Sequence, residues 1–114
     1  MGQFLKAVLT SHGFIVDLAA DGRTGLELAQ RHPPDLVILD LLMPYKNGFE
    51  VLRDLKADEV TRPVPVIILS SNSREEDIVK ALTAGADDFI VKPFRARELV
   101  ARVRKVLGRP RVKQ

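Results

Sequence analysis

Apolar positions along the chain follow two rhythms. Leu36-Val37-Ile38-Leu39, Val66-Ile67-Ile68-Leu69 and Phe89-Ile90-Val91 are short unbroken runs, the pattern of strands buried on both faces. Between and around them apolar residues recur three and four apart: Leu26, Leu28 and Ala29; Phe49, Leu52 and Leu55; Ile78, Ala81 and Leu82; Leu99, Val103, Val106 and Leu107. Leu5, Val8 and Leu9 form a further helical stretch that Gly13 stops, and Phe14-Ile15-Val16-Asp17-Leu18-Ala19 reads as a short strand closed by the Asp21-Gly22 turn. Pro33-Pro34 stops the second helix. Ser73 with Glu76 three residues on reads as a capping box, and Gly85 ends the helix it opens. The order α-β-α-β-α-β-α-β-α predicts a doubly wound α/β domain: four parallel strands, covered on both faces by right-handed crossovers.

Composition narrows this only slightly. With 114 residues and 46% hydrophobic content, the chain buries one core and has no room for two. The expected domain spans 1–108, followed by a basic tail or linker over 109–114. There is no cysteine, so disulfides and thiolate metal sites are excluded, and no apolar run approaches the roughly 18 residues of a membrane span. A cytoplasmic location is expected. The net charge of +3 owes much to a late cluster, Arg95, Arg97, Arg102, Arg104, Lys105, Arg109, Arg111 and Lys113. That cluster alternates with Val100, Val103 and Val106, as a solvated helix face does, and has no aromatic stacking set, so nucleic-acid contact is not expected.

The chemistry sits where the apolar runs end. Asp40, Ser70 and Lys92 each close one of them, so neighbouring parallel strands bring a carboxylate, a hydroxyl and an ammonium to one carboxyl edge, where open α/β sheets place their sites. Taken singly, each has a bland reading: a strand-end cap, the cap of the next helix, a snorkelling surface lysine. Together they form a set that accepts a phosphoryl group, with Asp40 as nucleophile and Lys92 offsetting the charge.

Beyond that set, the chain resembles the receiver domain of two-component response regulators from about Leu5 to Leu107. The residues carrying the likeness are Ala20-Asp21-Gly22, Pro34-Asp35-Leu36-Val37-Ile38-Leu39-Asp40, Met43-Pro44, Asn47-Gly48, Pro65-Val66-Ile67, Ala84-Gly85-Ala86-Asp87-Asp88 and Lys92-Pro93-Phe94. The resemblance implies a flavodoxin-like fold and a cis Lys92-Pro93 peptide. It makes Asp40 the phosphoacceptor, Ser70 the hydroxyl that follows the phosphoryl group, Lys92 the site ammonium and Phe89 the switch aromatic. The implied partner is a histidine kinase or phosphotransfer protein, and the implied role is phosphorelay signalling by a phosphoprotein, not multiple-turnover catalysis.

The departure lies at the front. Members of that family begin with a strand ending in two acidic residues, whereas these residues start inside the helix that follows it; Asp17 belongs to the family's second strand and is read as surface, not ligand. Two expectations follow. Magnesium binding is weak or absent, because Asp40 and the Leu42 carbonyl remain where magnesium wants about six oxygens. In the family's strand order 2-1-3-4-5, the absent strand separates the Phe14 and Leu36 strands and leaves two facing edges, so a homodimer that completes the sheet is expected.

Other functions fit less well. A phosphorylation-independent pseudo-receiver, acting as an interaction or dimerisation module, agrees with the missing acids but has no need of Asp40, Ser70, Lys92 and Phe89 together. An aspartate-nucleophile phosphatase needs a second acid where Leu42 stands. Dinucleotide binding needs a G-x-G-x-x-G after a strand, which the sequence does not contain.

Overall fold

A strand buried on both faces must alternate its side chains between two apolar layers, and Val66–Ser70 does so without a break. This is β2, the centre of a parallel sheet in the order β1-β2-β3, with β1 at Val37–Asp40 and β3 at Asp88–Val91. The computed structural model describes residues 2–19, 21–41, 48–71 and 74–108. Val66 and Ile68 enter one buried cluster with Leu39, Phe89 and helix residues Ala29, Val51, Leu52, Leu55 and Ala81. Ile67 and Leu69 enter the other, with Ile90, Leu9, Leu99, Val103 and Val106. The helices divide accordingly. On one face lie α2 (Gly22–Arg31), α3 (Gly48–Ala57) and α4 (Glu75–Thr83); on the other lie α1 (Gly2–Ser11) and α5 (Ala96–Gly108). Burying each β2 side chain from Val66 to Leu69 stabilises the fold by about 1.5–3 kcal/mol, and two-sided burial is what makes these runs continuous rather than alternating.

Two expectations from the sequence are corrected. The sheet has three strands among the described residues, not four: residues 14–19 form no ladder, because a strand needs a neighbour and a cavity separates their far end from β1. Phe14 and Val16 still pack on the α1–α5 cluster, as alternation predicts, while Ile15 is 98% exposed on the opposite side. The second correction concerns α4, which starts at Glu75 behind Arg74, and Arg74 makes no side-chain cap bond. Ser73 of the expected capping box lies outside the described residues. Asp21 is more than a turn residue, since its carboxylate accepts the Thr24 N–H at 2.9 Å and caps α2.

The segment between α3 and β2 is held from within. Thr61, fully buried, donates to the Leu55 carbonyl at 2.7 Å, and Lys56 Nζ donates to the carbonyls of Arg62 and Val64 at 3.1 and 2.8 Å. Burial pushes the Lys56 ammonium below its ordinary pKa, with Asp87 pulling the other way. Its stem lies against Gly85, whose φ of +112° ends α4 in the left-handed region that favours glycine. The start of β2 is tied to the start of β3 by a reciprocal pair: Val66 N–H donates to Asp87 Oδ2 and Asp87 N–H to the Val66 carbonyl, both at 2.8 Å.

Candidate functional site

Parallel pairing carries all three strands to one edge. The register sets Asp40 beside Leu69 and Ser70 beside Val91, and the ladder is extended past the strand ends by Leu41 N–H to Leu69 O and Lys92 N–H to Ser70 O, at 3.0 and 2.8 Å. From there the Lys92 ammonium reaches across β2 and donates to Asp40 Oδ2 at 2.5 Å. Both side chains are largely shielded, with 19% of Lys92 and 28% of Asp40 exposed, so the pair is screened less than the exposed pairs worth about 0–1 kcal/mol. Lys92-Pro93 is a cis peptide, as the resemblance implies.

Ser70 is 5% exposed at the end of the central strand, between the other two. Phe89 is buried in the cluster with Ile68, Ala81 and Ala86, on the face that α4 covers. The structure therefore brings Asp40 and Lys92 into contact, sets Ser70 one strand away and places Phe89 in the adjoining core. Leu42, whose carbonyl was the second expected metal ligand, lies outside the described residues. Among those residues, no three histidine or carboxylate groups gather where they could hold a metal ion.

Two features were not read from the sequence. Gly48, the first residue of α3, donates its N–H to the Leu41 carbonyl at 3.1 Å, and a Cβ placed on it would lie 2.6 Å from Leu41 Cα and 2.9 Å from the Asp40 carbonyl oxygen. Asn47-Gly48 is a turn signal; that the turn closes onto the strand carrying Asp40 is a fact of tertiary structure. The other feature is a cavity of about 370 Å³ that opens along the outer side of β1 and is lined by Asp17 and Asp21 as well as Asp40.

The molecule is thus a three-layer α/β domain with an aspartate, a buried serine and a lysine at the carboxyl edge of adjacent parallel strands. The chain belongs to the response regulator receiver domain family, which it matches over residues 1–104. It is 43% identical over 109 residues to the response regulator ArlR of Staphylococcus epidermidis, covering 96% of this chain and 48% of that protein, and equally identical to ArlR of Staphylococcus aureus. The chain thus spans about half the length of these curated relatives. Among solved structures it resembles the receiver domain of the Francisella response regulator 1452, with a TM-score of 0.86 and 33% identity over 93% of this chain and 86% of that one. It also resembles the receiver domain of the sensor histidine kinase PA1611 of Pseudomonas aeruginosa, with a TM-score of 0.87 and 32% identity over 95% and 88%. That structure has a magnesium ion coordinated in its active-site cleft.

Proposed function

We propose that Asp40 accepts a phosphoryl group from a phosphohistidine of a histidine kinase or phosphotransfer protein, and that the chain acts as a signalling module in the cytoplasm rather than as a multiple-turnover enzyme. The contact between Lys92 Nζ and Asp40 Oδ2 carries this reading. An Asp40 oxygen attacks phosphorus, the P–N bond to imidazole breaks, and the imidazole leaves with the electron pair and takes up a proton. Lys92 then moves from the carboxylate to a phosphoryl oxygen, and Ser70 donates to a second. Phe89, packed beneath α4, is the side chain whose rearrangement carries the change outward. The test is exposure to a small acyl-phosphate donor and mapping of any adduct, for which Asp40 is the expected site. A complete absence of label would instead support a phosphorylation-independent interaction module.

Magnesium, when bound at such a site, supplies positive charge between donor and acceptor. In a polypeptide of these 114 residues its binding is weak, because Asp40 is the strand-end carboxylate available to it. A calorimetric titration is expected to show no saturation below roughly 1 mM, the weak end of hard-cation sites. Saturation well below that concentration would mean that Asp17 or Asp21, which line the adjoining cavity, turn inward to complete the shell.

Self-association is a second expected property. The outer edge of β1 carries no strand among the described residues, and Leu18, which lines the cavity along it, is 42% exposed. An uncovered strand edge with an exposed apolar side chain near it pairs with its like. Light scattering over a range of concentrations is expected to show a monomer–dimer equilibrium for the 114-residue chain, and a mass fixed at the monomer value would refute it.

A further inference from the structure

A lysine side chain ordinarily meets carboxylates or water, and its ammonium form is then the stable one. Lys92 and Lys105 meet Asp40 and Asp88, and Lys80 lies with its ammonium 4.4 Å from the centre of the Phe49 ring. Lys56, in the last turn of α3, is bound differently. Its stem lies against Gly85, and its Nζ donates to two neutral acceptors, the carbonyls of Arg62 and Val64 at 3.1 and 2.8 Å. Among the described residues no carboxylate contacts it: Asp87 acts on it from a distance, and Arg62 donates its Nε–H to the Lys56 main-chain carbonyl at 3.1 Å.

That bonding pattern suits a neutral amine as well as an ammonium. An ammonium has three protons and an amine two. Two acceptors use two protons, so loss of the third breaks neither bond and leaves a lone pair in its place. Burial, which disfavours the charged form, moves the balance the same way, with Asp87 opposing. Water reaches this side of the molecule, because Thr83, Ala84 and Gly85 are exposed. We propose that Lys56 is an acyl-acceptor site: its amine takes an acetyl group from an acyl-phosphate donor, and the modification loosens the entry to β2. The nitrogen attacks the carbonyl carbon, the C–O bond to phosphate breaks, phosphate leaves with the electron pair, and the surplus proton on nitrogen passes to water. The product amide keeps a single N–H, so one of the two carbonyls loses its donor. An acyl phosphate thus offers two electrophilic atoms to this chain, phosphorus to Asp40 and carbon to Lys56, and the second reaction needs nothing from the first.

The test is acetyl phosphate on the full 114-residue chain, with Nα-acetyl-lysine amide in the same tube as a lysine without surroundings. Samples taken between about pH 7 and 10 are mapped by peptide mass spectrometry. Lys56 is expected to acquire acetyl about threefold faster or more than the free lysine at about pH 8, and its rate levels off at a lower pH, since the rate follows the neutral fraction. Lys56→Arg, which keeps a cation and donors for the two carbonyls, loses that label. After equal treatment the unsubstituted chain is expected to melt roughly 4–8 °C below its untreated Tm, the effect of one lost hydrogen bond, while the arginine variant keeps its own. Acetylation of Lys56 no faster than that of the free lysine, or with the same pH profile, would overturn the proposal, because an ammonium shielded by its two carbonyls behaves so. An equal change of Tm in the two proteins, or none in either, would overturn it as well. The phosphoryl reaction is read separately: the acetyl amide on Lys56 withstands hydroxylamine, which releases an acyl phosphate from Asp40, so either reaction can fail alone.

Discussion

Asp40→Asn is expected to abolish phosphoryl uptake entirely. Incubated with acetyl phosphate and magnesium, the unsubstituted chain should acquire label slowly, in a form that hydroxylamine releases, as it releases an acyl phosphate; the Asn variant should acquire none. The carboxamide has no anionic oxygen to attack phosphorus, whereas its shape matches that of the carboxylate, so the fold is retained. Lys92 loses its ionic partner in a position where only 19% of its side chain is exposed. Because water still reaches the pair, the stability cost should be about 1 kcal/mol, well under the 3–5 kcal/mol of a fully buried charge left alone. Mass spectrometry of peptides spanning residues 36–41 decides the matter: label on any other residue, or undiminished label in the variant, would remove Asp40 from its assigned role.

Gly48→Ala is expected to be the most damaging single-methyl change near the site. The added carbon would sit 2.6 Å from Leu41 Cα, 2.8 Å from Leu41 Cδ2 and 2.9 Å from the Asp40 carbonyl oxygen. Two of those three atoms are backbone, so relief requires β1 and α3 to separate rather than a side chain to rotate. Overpacking of this kind costs about 2–3 kcal/mol, which for a domain of this size lowers Tm by roughly 10–20 °C. The displaced atoms belong to the strand end that carries Asp40, the proposed phosphoacceptor, so labelling of the folded fraction should fall as well. Gly25→Ala is the control: among the described residues its new carbon would meet the Ala19 side chain at 3.3 Å, and the gain in helix propensity in α2 offsets that contact. Its Tm should stay within a few degrees of the unsubstituted protein. Similar losses in both variants would show that the close approach at Gly48 is not tightly packed.

Much of this was legible in the chain. Unbroken runs such as Val66-Ile67-Ile68-Leu69 announce burial on both faces, and they became the strands that organise the two clusters. Parallel strands must end at one edge, which brings Asp40 and Lys92 together, and they meet there. The reading failed where structure depends on a neighbour and not on local pattern. Phe14-Ile15-Val16 has strand composition, yet among the described residues no strand pairs with it, and pattern cannot report whether a partner exists. The packing at Gly48 and the carboxylate lining of the cavity escaped for the same reason. Both arise from segments distant in sequence, brought together only once the sheet and helices have assembled.

Lys56 has a consequence for how the molecule opens. Its stem rests on Gly85 and its ammonium holds the Arg62 and Val64 carbonyls, while Asp87 and Val66 bond reciprocally a few residues further on. The end of α3, the entry to β2 and the entry to β3 are thereby fastened at the end of the sheet opposite Asp40, and none can loosen without unseating the other two. Transient opening of this region is a single cooperative event, so the amides of Val64, Val66 and Asp87 share one opening free energy.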